Sequence, residues 1–307
     1  MPTQAEKAQA FRALHARPCA FIIPNPWDIG SARILAHLGF EALATTSMGQ
    51  AFALGRQDNS LDRAETLAYA SLIVSRTNLP VSADLENGFG DDAKAVAETI
   101  RLAAATGIVG ASIEDATGCP DDPIYEIERA VERVQAAAEA ARALPFPFTL
   151  TARAENYLHG RSDLGDTIRR LEAFQEAGAD VLYAPGLATK KDIATVVGSL
   201  DRPVNVVMGL EGVQLSLAEL SAIGVRRISV GSSLYRTALG AALRAGNVRA
   251  GYIYFRKRSG ESPGAQPHFR RKRLGQLLYP DAAGGGLAEM HRLSVHAQRH
   301  GLVVLAL

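Results

Sequence analysis

The sequence predicts an α/β fold, a (β/α)₈ TIM barrel followed by an irregular C-terminal extension. Short apolar runs alternate with longer Ala-rich segments of helical period, about eight times within roughly 230 residues. Several helices end in a Gly-containing turn that leads directly into the next strand, as in HLGFEAL and EAGADVL; this is typical of buried parallel strands. No GxGxxG follows the first strand, which disfavours an open dinucleotide-binding sheet.

The barrel is expected to occupy residues 1–250. Its first segment, MPTQAEKAQAFRALHARP, predicts a polar amphipathic helix rather than a signal peptide. The predicted strands are, in order, CAFIIP, EALATTS, LPVSAD, VGASIED, PFTLTAR, DVLYAP, PVNVVM and RRISVG. The predicted helices between them include Ala64–Ser75, Ala93–Ala105, Tyr125–Ala143, Leu164–Ala177, Lys190–Gly198 and Leu217–Ile223.

The composition is that of an ordinary soluble globular protein, with 47% hydrophobic and 21% charged residues. A net charge of +1 gives no overall field that would attract nucleic acid or an anionic membrane. No apolar run approaches the roughly 20 residues that span a bilayer. The two cysteines, Cys19 and Cys119, cannot form a disulfide framework. We therefore expect a cytoplasmic protein that binds neither nucleic acid nor membranes.

The extension, residues 251–307, breaks the rhythm of strands and helices. It is basic and rich in Pro and Gly, as in YIYFRKRSGESPGAQPHFRRKR, and DAAGGG follows. We expect a solvated, partly disordered segment rather than a nucleic-acid-binding arm. A second possibility is that its aromatic residues, Tyr252, Tyr254 and Phe255, pack on the barrel or on a neighbouring subunit.

Polar residues follow four consecutive predicted strands, where a TIM barrel carries its catalytic groups. Carboxylates come directly at the ends of three of these strands, with an arginine among them, and Asp58 lies further along the loop after the second strand. In order, the residues are Thr45, Thr46, Ser47, Gly49 and Asp58 after the second strand, Asp84 and Glu86 after the third, Glu114 and Asp115 after the fourth, and Arg153, Glu155, Asn156, Tyr157 and His159 after the fifth.

These carboxylates predict a metal site, because several acids in one barrel mouth repel each other unless a cation joins them. Oxygen ligands without histidine suit Mg²⁺, or Mn²⁺, better than zinc. We expect Asp84 to bind the metal directly, with Glu86, Glu114 and Asp58 binding it directly or through its waters. The alternative for any single acid is a helix cap or a surface ion pair.

Arg153 directly follows the apolar run FTLTA, so its guanidinium should point into the mouth. Beside a metal it would bind a substrate carboxylate or phosphonate in bidentate fashion; the alternative is a salt bridge to Glu114 or Glu155. Thr46, Ser47 and Gly49 would offer hydroxyls and backbone N–H groups to a second anionic end. For Tyr183 two roles are open, lining the mouth or packing against neighbouring side chains.

These residues resemble the isocitrate lyase/phosphoenolpyruvate mutase superfamily from about Phe21 to Leu243. The similar segments are TTSMGQAFALGRQD, ADLENGFG, SIEDATG and TARAENY. The family's metal motif, Asp-x-Asp-x-Gly-Tyr-Gly, appears here as ADLENGFG, with Asp84 in the first position and Glu86 in the second. The resemblance implies that Asp84 binds Mg²⁺, while Glu86, Glu114 and Asp58 act on the metal or its waters. It also implies substrate binding by Arg153, Glu155 and the Thr46–Gly49 loop, and a homo-oligomer, either a dimer or a tetramer.

The sequence departs from the family at its catalytic loop. Isocitrate and methylisocitrate lyases carry Lys-Lys/Arg-Cys-Gly-His there, whereas this chain reads EDATGCPDDP. Cys119 lacks basic neighbours that would lower its pKa, so a catalytic role is not expected. Asp58, Tyr157 and, more weakly, His159 are the remaining candidates for proton transfer.

The predicted activity is that of a Mg²⁺-dependent lyase acting on a small 2-oxo or 2-hydroxy carboxylic acid. The bond broken would be carbon–carbon, by retro-aldol cleavage or decarboxylation through a metal-stabilised enolate, with Asp58, Glu114, Arg153 and Tyr157 as catalytic residues. One alternative is phosphonopyruvate hydrolysis or mutase-type carbon–phosphorus chemistry, which needs a nucleophile or activated water near Asp58 or Thr117. A second alternative is a non-catalytic barrel that binds an oxo acid.

Overall fold

The computed structural model describes residues 2–209 and 214–246, and this part of the chain is the predicted (β/α)₈ barrel. Each predicted apolar run contains one strand, and each neighbouring pair in the sheet is parallel. The strands are β1 (Phe21–Ile23), β2 (Leu43–Ala44), β3 (Val81–Asp84), β4 (Gly110–Glu114), β5 (Thr149–Arg153), β6 (Val181–Tyr183), β7 (Val204–Val207) and β8 (Arg227–Ser229).

The helices lie between the strands, with the first before β1 and the last after β8. They are α1 (Gln4–His15), α2 (Ile29–His37), α3 (Ser47–Ala53), α4 (Arg63–Val74), α5 (Ala93–Ala105), α6 (Ile127–Arg142), α7 (Leu164–Glu176), α8 (Lys190–Gly198), α9 (Leu217–Ala222) and α10 (Ser233–Gly246). The predicted bounds of α5 and α8 are confirmed. Side-chain caps fix both starts, because Asp92 accepts from Ala95 N–H and Thr189 accepts from Asp192 N–H.

The eight strands are hydrogen-bonded in the order β1-β8-β7-β6-β5-β4-β3-β2. A single backbone bond continues this circle, since Ala44 N–H donates to the Pro24 carbonyl at 3.1 Å. The buried Asn25 strengthens the same seam: its amide donates to the Thr45 carbonyl, and its Oδ1 accepts from Val230 N–H and Gly231 N–H. Asn25 therefore ties the ends of β1, β2 and β8 together.

Helix α1 closes the N-terminal end of the barrel. Its Phe11 is fully buried and packs with residues at the starts of the strands, Phe21, Ala42 and Val109 among them. The first residue of β4 is Gly110, where a Cβ would lie 2.9 Å from the Phe11 ring and 2.7 Å from the Thr149 carbonyl. Only glycine gives this helix room to pack so closely. The opposite end of the barrel is therefore the open one.

The predicted extension, residues 251–307, lies outside the described residues. None of the described helices has the length and apolar character needed to cross a bilayer.

Candidate active site at the barrel mouth

A cavity of about 860 Å³ opens at the carboxyl ends of the strands. The cavity brings together most of the site residues predicted from the sequence. Those that line it are Thr45, Ser47, Asp58, Asp84, Glu86, Glu114, Arg153, Glu155, His159 and Tyr183.

Arg153, at the end of β5, is the centre of this cluster and contacts three carboxylates. Its Nη1 lies 3.0 Å from Asp84 Oδ1, its Nη2 lies 3.2 Å from Glu114 Oε2, and its Nε lies 2.8 Å from Glu155 Oε1. The guanidinium carbon also lies 5.3 Å from the centre of the Tyr183 ring. The salt bridges that were the alternative interpretation of Arg153 are therefore both present, together with a third to Asp84.

Electrostatics hold this guanidinium in its charged form. Burial alone would lower the pKa of Arg153, but the carboxylates of Glu155, Glu114 and Asp84 raise it above its ordinary value. Burial raises the pKa of Glu114 well above the usual range, Arg153 offsets this in part, and Glu155 and Asp84 add to the increase. One positive charge thus does not neutralise the acids around it.

Two further acids increase this negative excess. Burial, and then the charges of Asp84 and Asp58, raise the pKa of Glu86 to about 8. Burial and the charge of Asp84 also raise the pKa of Asp58. Glu86 has a φ of 49°, in the left-handed region that non-glycine residues seldom adopt. Such a conformation costs about 1–3 kcal/mol and persists only where the surroundings impose it.

Asp84 is oriented by hydrogen bonds from two neighbouring elements. Ser47 N–H donates to its Oδ2 at 3.2 Å, and the Ser112 hydroxyl lies 3.4 Å from its Oδ1. Its own backbone N–H donates to the Thr45 hydroxyl at 2.9 Å. The Thr45–Ser47 segment therefore positions Asp84 at the rim.

The chemistry of this donor set suits a hard cation. The donors are carboxylate oxygens, whose pKa values are raised first by burial and then by neighbouring carboxylates, and a nearby cation would offset both effects. Within the described residues, no three or more His, Cys, Asp or Glu side chains are arranged to coordinate one ion together. An ion such as Mg²⁺ takes one or two protein carboxylates and keeps several waters, and these side chains could supply such ligands.

Five of the residues predicted at the rim do not line the cavity, namely Thr46, Gly49, Asp115, Asn156 and Tyr157. Thr46 is the N-cap of α3, where its hydroxyl accepts the N–H of Gly49 at 3.3 Å, so both groups serve the helix start. Tyr157 lies beside Gly186, and burial, Asp192 and Asp163 raise its pKa. The segment predicted as an anion-binding loop is thus a short helix, with Ser47 as its member in the cavity.

Asp115 differs from the other rim acids because it turns away from the cavity. It is 2% exposed, and it accepts from Glu155 N–H at 2.8 Å and from Arg170 Nη1 at 3.1 Å. Arg170 also donates to the Tyr125 carbonyl. Asp115 therefore joins the loops after β4 and β5 to helix α7.

The loop after Asp115 is held by its own hydrogen bonds. The Thr117 hydroxyl contacts the Asp122 carbonyl at 2.5 Å and accepts from Cys119 N–H at 2.9 Å. Cys119 is an exposed, free cysteine, as expected for a small loop residue.

Sequence reasoning missed Arg227 and Arg236, which also line the cavity. Arg227, in β8, donates to Asn205 Oδ1 at 2.9 Å and to Thr151 Oγ1 at 3.0 Å, and burial lowers its pKa to about 10. Arg236 donates to the Ser232 hydroxyl at 2.8 Å. The sequence feature that could have revealed them is the segment RRISVGSSLYR, which places Arg227 in the eighth strand and Arg236 shortly after it.

The chain is similar in sequence to a protein family and to several named proteins. The phosphoenolpyruvate phosphomutase family matches residues 11–248. Oxaloacetate decarboxylase from Chromohalobacter salexigens is 30% identical over 245 residues, which cover 78% of this chain and 83% of that protein. The 2,3-dimethylmalate lyase of Eubacterium barkeri is 28% identical over 227 residues, 71% of this chain and 77% of the lyase.

Solved structures agree with these matches. A Burkholderia cenocepacia J2315 protein, provisionally named a lyase/mutase, is 56% identical with a TM-score of 0.79, covering 94% of this chain and 95% of its own. Oxaloacetate acetylhydrolase with its product oxalate is 25% identical with a TM-score of 0.73, covering 80% and 86%. Relatives named as lyases support the predicted class of carbon–carbon lyase. The chain therefore belongs to the phosphoenolpyruvate phosphomutase family, within the PEP mutase/isocitrate lyase superfamily.

Proposed function

We propose that the protein is a Mg²⁺-dependent lyase that cleaves a carbon–carbon bond in a small 2-oxo or 2-hydroxy carboxylic acid. The observation that supports it most is the group of buried carboxylates around Arg153, whose charge one guanidinium does not balance. In this proposal Asp84 binds the cation directly, and Glu86 and Glu114 bind it or its waters. The bound ion supplies stabilisation for negative charge that develops on the substrate oxygen.

Arg153 is proposed to bind the substrate carboxylate. Two N–H groups of Arg153 donate hydrogen bonds, to Asp84 and to Glu155, and its Nη2 forms an ion pair with Glu114. A guanidinium has five N–H groups, so others are proposed to bind the ligand. Arg227 and Arg236 also lie in the cavity lining, and more than one cation suits a substrate with two anionic ends.

Asp58 is the proposed proton-transfer group, because it lies in the lining and burial raises its pKa. In retro-aldol cleavage a base removes the hydroxyl proton, the carbon–carbon bond breaks as the carbonyl forms, and the electron pair moves to the departing carbon. That carbon then takes up a proton. Tyr157 is a weaker candidate for either transfer, since it lies outside the lining.

A product screen tests this function. Purified protein with Mg²⁺ is given oxaloacetate and a series of 2-hydroxy acids, and oxo-acid formation and CO₂ release are measured against Mg²⁺ without protein. We expect turnover by the wild type and its loss in Asp58→Asn, with binding of oxalate retained. Binding without product from any substrate would instead favour the non-catalytic oxo-acid-binding alternative.

The alternative of carbon–phosphorus chemistry needs a nucleophile or activated water near Asp58 or Thr117, and the loop that contains Thr117 gives it no support. The Thr117 hydroxyl is engaged with the Asp122 carbonyl and Cys119 N–H of its own loop. Phosphonopyruvate is therefore added to the screen. Release of phosphate from it would favour carbon–phosphorus chemistry over the proposed carbon–carbon cleavage.

A further inference from the structure

We propose, on the basis of the function proposed above, that Arg133 is a positioning residue for the metal site. It holds the loop 86–91 that carries Glu86, and it does so from the side of the loop facing helix α6. Arg133 does not line the cavity, so it would act through the loop rather than by touching metal or substrate.

Arg133 binds the loop through backbone carbonyls. It lies in the middle of α6 and is 1% exposed. Its Nη1 donates to the Gly90 carbonyl at 2.6 Å, and its Nη2 donates to the Asn87 carbonyl. The guanidinium carbon lies 4.3 Å from the centre of the Tyr125 ring, in a cation–π contact. A buried charge is costly unless it is hydrogen-bonded, and here its hydrogen bonds go to a single loop.

The loop needs such support because its backbone is unusual. Glu86 has a φ of 49° and Phe89 a φ of 59°, with Gly88 at 85° between them. Two non-glycine residues in the left-handed region persist only where neighbouring groups impose them. The carbonyls that Arg133 holds, those of Asn87 and Gly90, lie on either side of Gly88 and Phe89, and Asn87 directly follows Glu86.

The same loop is joined to the acid cluster. Glu114 N–H donates to the Glu86 carbonyl at 3.0 Å. Glu86 N–H lies 3.4 Å from Asp84 Oδ1. A shift of the loop would therefore move the Glu86 carboxylate relative to both Asp84 and Glu114, the other proposed metal ligands.

Arg129, one helical turn earlier on α6, provides a matched control. It also lies over the Tyr125 ring, at 5.8 Å, and it donates to the carbonyl of Asp91 at 3.0 Å. Asp91 follows the left-handed stretch, so Arg129 contacts the same ring and the same loop but not the peptide that directly follows Glu86.

The test is calorimetric titration with Mg²⁺ of the wild type, Arg133→Met and Arg129→Met, well below their unfolding temperatures. We expect Arg133→Met to weaken Mg²⁺ binding at least tenfold and Arg129→Met to leave it within twofold. In a Glu86→Gln background, Arg133→Met should cause no further loss. A general fold defect would weaken binding in both backgrounds alike.

If Arg133→Met does not fold, Arg133→Lys takes its place. The expected loss of Mg²⁺ affinity in Arg133→Lys lies between those in Arg129→Met and Arg133→Met. Hydrogen exchange of the amides of residues 87–90 should be faster in either Arg133 variant than in Arg129→Met. Unchanged Mg²⁺ affinity in the Arg133 variants, or an equal loss in the Glu86→Gln background, would overturn the proposal. If the wild type binds no Mg²⁺, the proposed function fails, and faster exchange would then make Arg133 a residue of fold stability alone.

Discussion

Arg153 Nη1 lies 3.0 Å from Asp84 Oδ1, so an ion pair joins the end of β5 to the end of β3 across the intervening strand. The intervening strand contributes Glu114 to the same guanidinium. Three neighbouring strands of the barrel are thus linked at the mouth by one side chain. This arrangement has consequences for stability as well as for binding.

Replacing Arg153 by Met should destabilise the fold by about 3–5 kcal/mol at pH 8, because it leaves buried carboxylates without their cation. The loss should be smaller at pH 5, where the remaining carboxyls take up protons. Urea unfolding at both pH values measures this. The control is Arg17→Met, whose ion pair with Glu41 is exposed and should contribute little to stability. Equal effects of the two substitutions would contradict the role given to Arg153.

Gly110→Ala should destabilise the protein by about 1–3 kcal/mol, since the added Cβ would meet the Thr149 carbonyl at 2.7 Å and Phe11 at 2.9 Å. Gly198→Ala is the matched control, because the added Cβ has no neighbour within 4 Å among the described residues. In helix α8 that change should be neutral or stabilising by about 0.5–1 kcal/mol. Thermal unfolding of both variants compares them. A well-tolerated Gly110→Ala would mean that α1 does not pack tightly against the barrel end.

His15 should make the fold less stable as the pH falls. Burial, and then the charge of Arg227, lower its pKa from 6.5 to about 3, so it stays neutral in the folded state while the unfolded chain takes up a proton. The unfolded state therefore binds more protons between these values, and stability is lost as the pH decreases below about 6.5. By pH 5 this contribution is about 2 kcal/mol.

The measurement is the free energy of unfolding at pH 7 and pH 5 for the wild type and His15→Phe. Phenylalanine suits the site, since His15 packs edge-on against Phe11 and Phe21. The difference between the two proteins in their pH dependence isolates His15 from the carboxylates. An identical pH dependence would show that folding does not lower the pKa of His15, so that it takes up a proton equally readily in both states.

The fold was predictable because local signals agree along the chain. The starts of α5 and α8 follow Asp92 and Thr189, whose side chains cap them, and each glycine turn leads into a buried apolar strand. Residues at strand ends were equally predictable, since the topology alone brings Asp84, Glu114 and Arg153 to one rim.

Other parts of the site depend on contacts that the sequence does not reveal. Thr46 could be read as a ligand-binding residue or as a helix cap, since hydroxyls serve both purposes, and the structure makes it a cap. Asn25 binds Val230 and Gly231, about 205 residues further along the chain. Arg133 is one of several charged residues in α6, and only its burial and its contacts with Asn87 and Gly90 distinguish it.

Calorimetric titration of oxalate, with and without Mg²⁺, tests the central claim most directly, on the wild type and on Asp84→Ala. Oxalate is bound as a product by oxaloacetate acetylhydrolase, a structural relative, and it resembles the enolate of pyruvate. We predict that oxalate binds the wild type only when Mg²⁺ is present, and that Asp84→Ala abolishes this binding. Oxalate binding that is independent of both Mg²⁺ and Asp84, or no binding at all, would contradict a metal-dependent site at the barrel mouth.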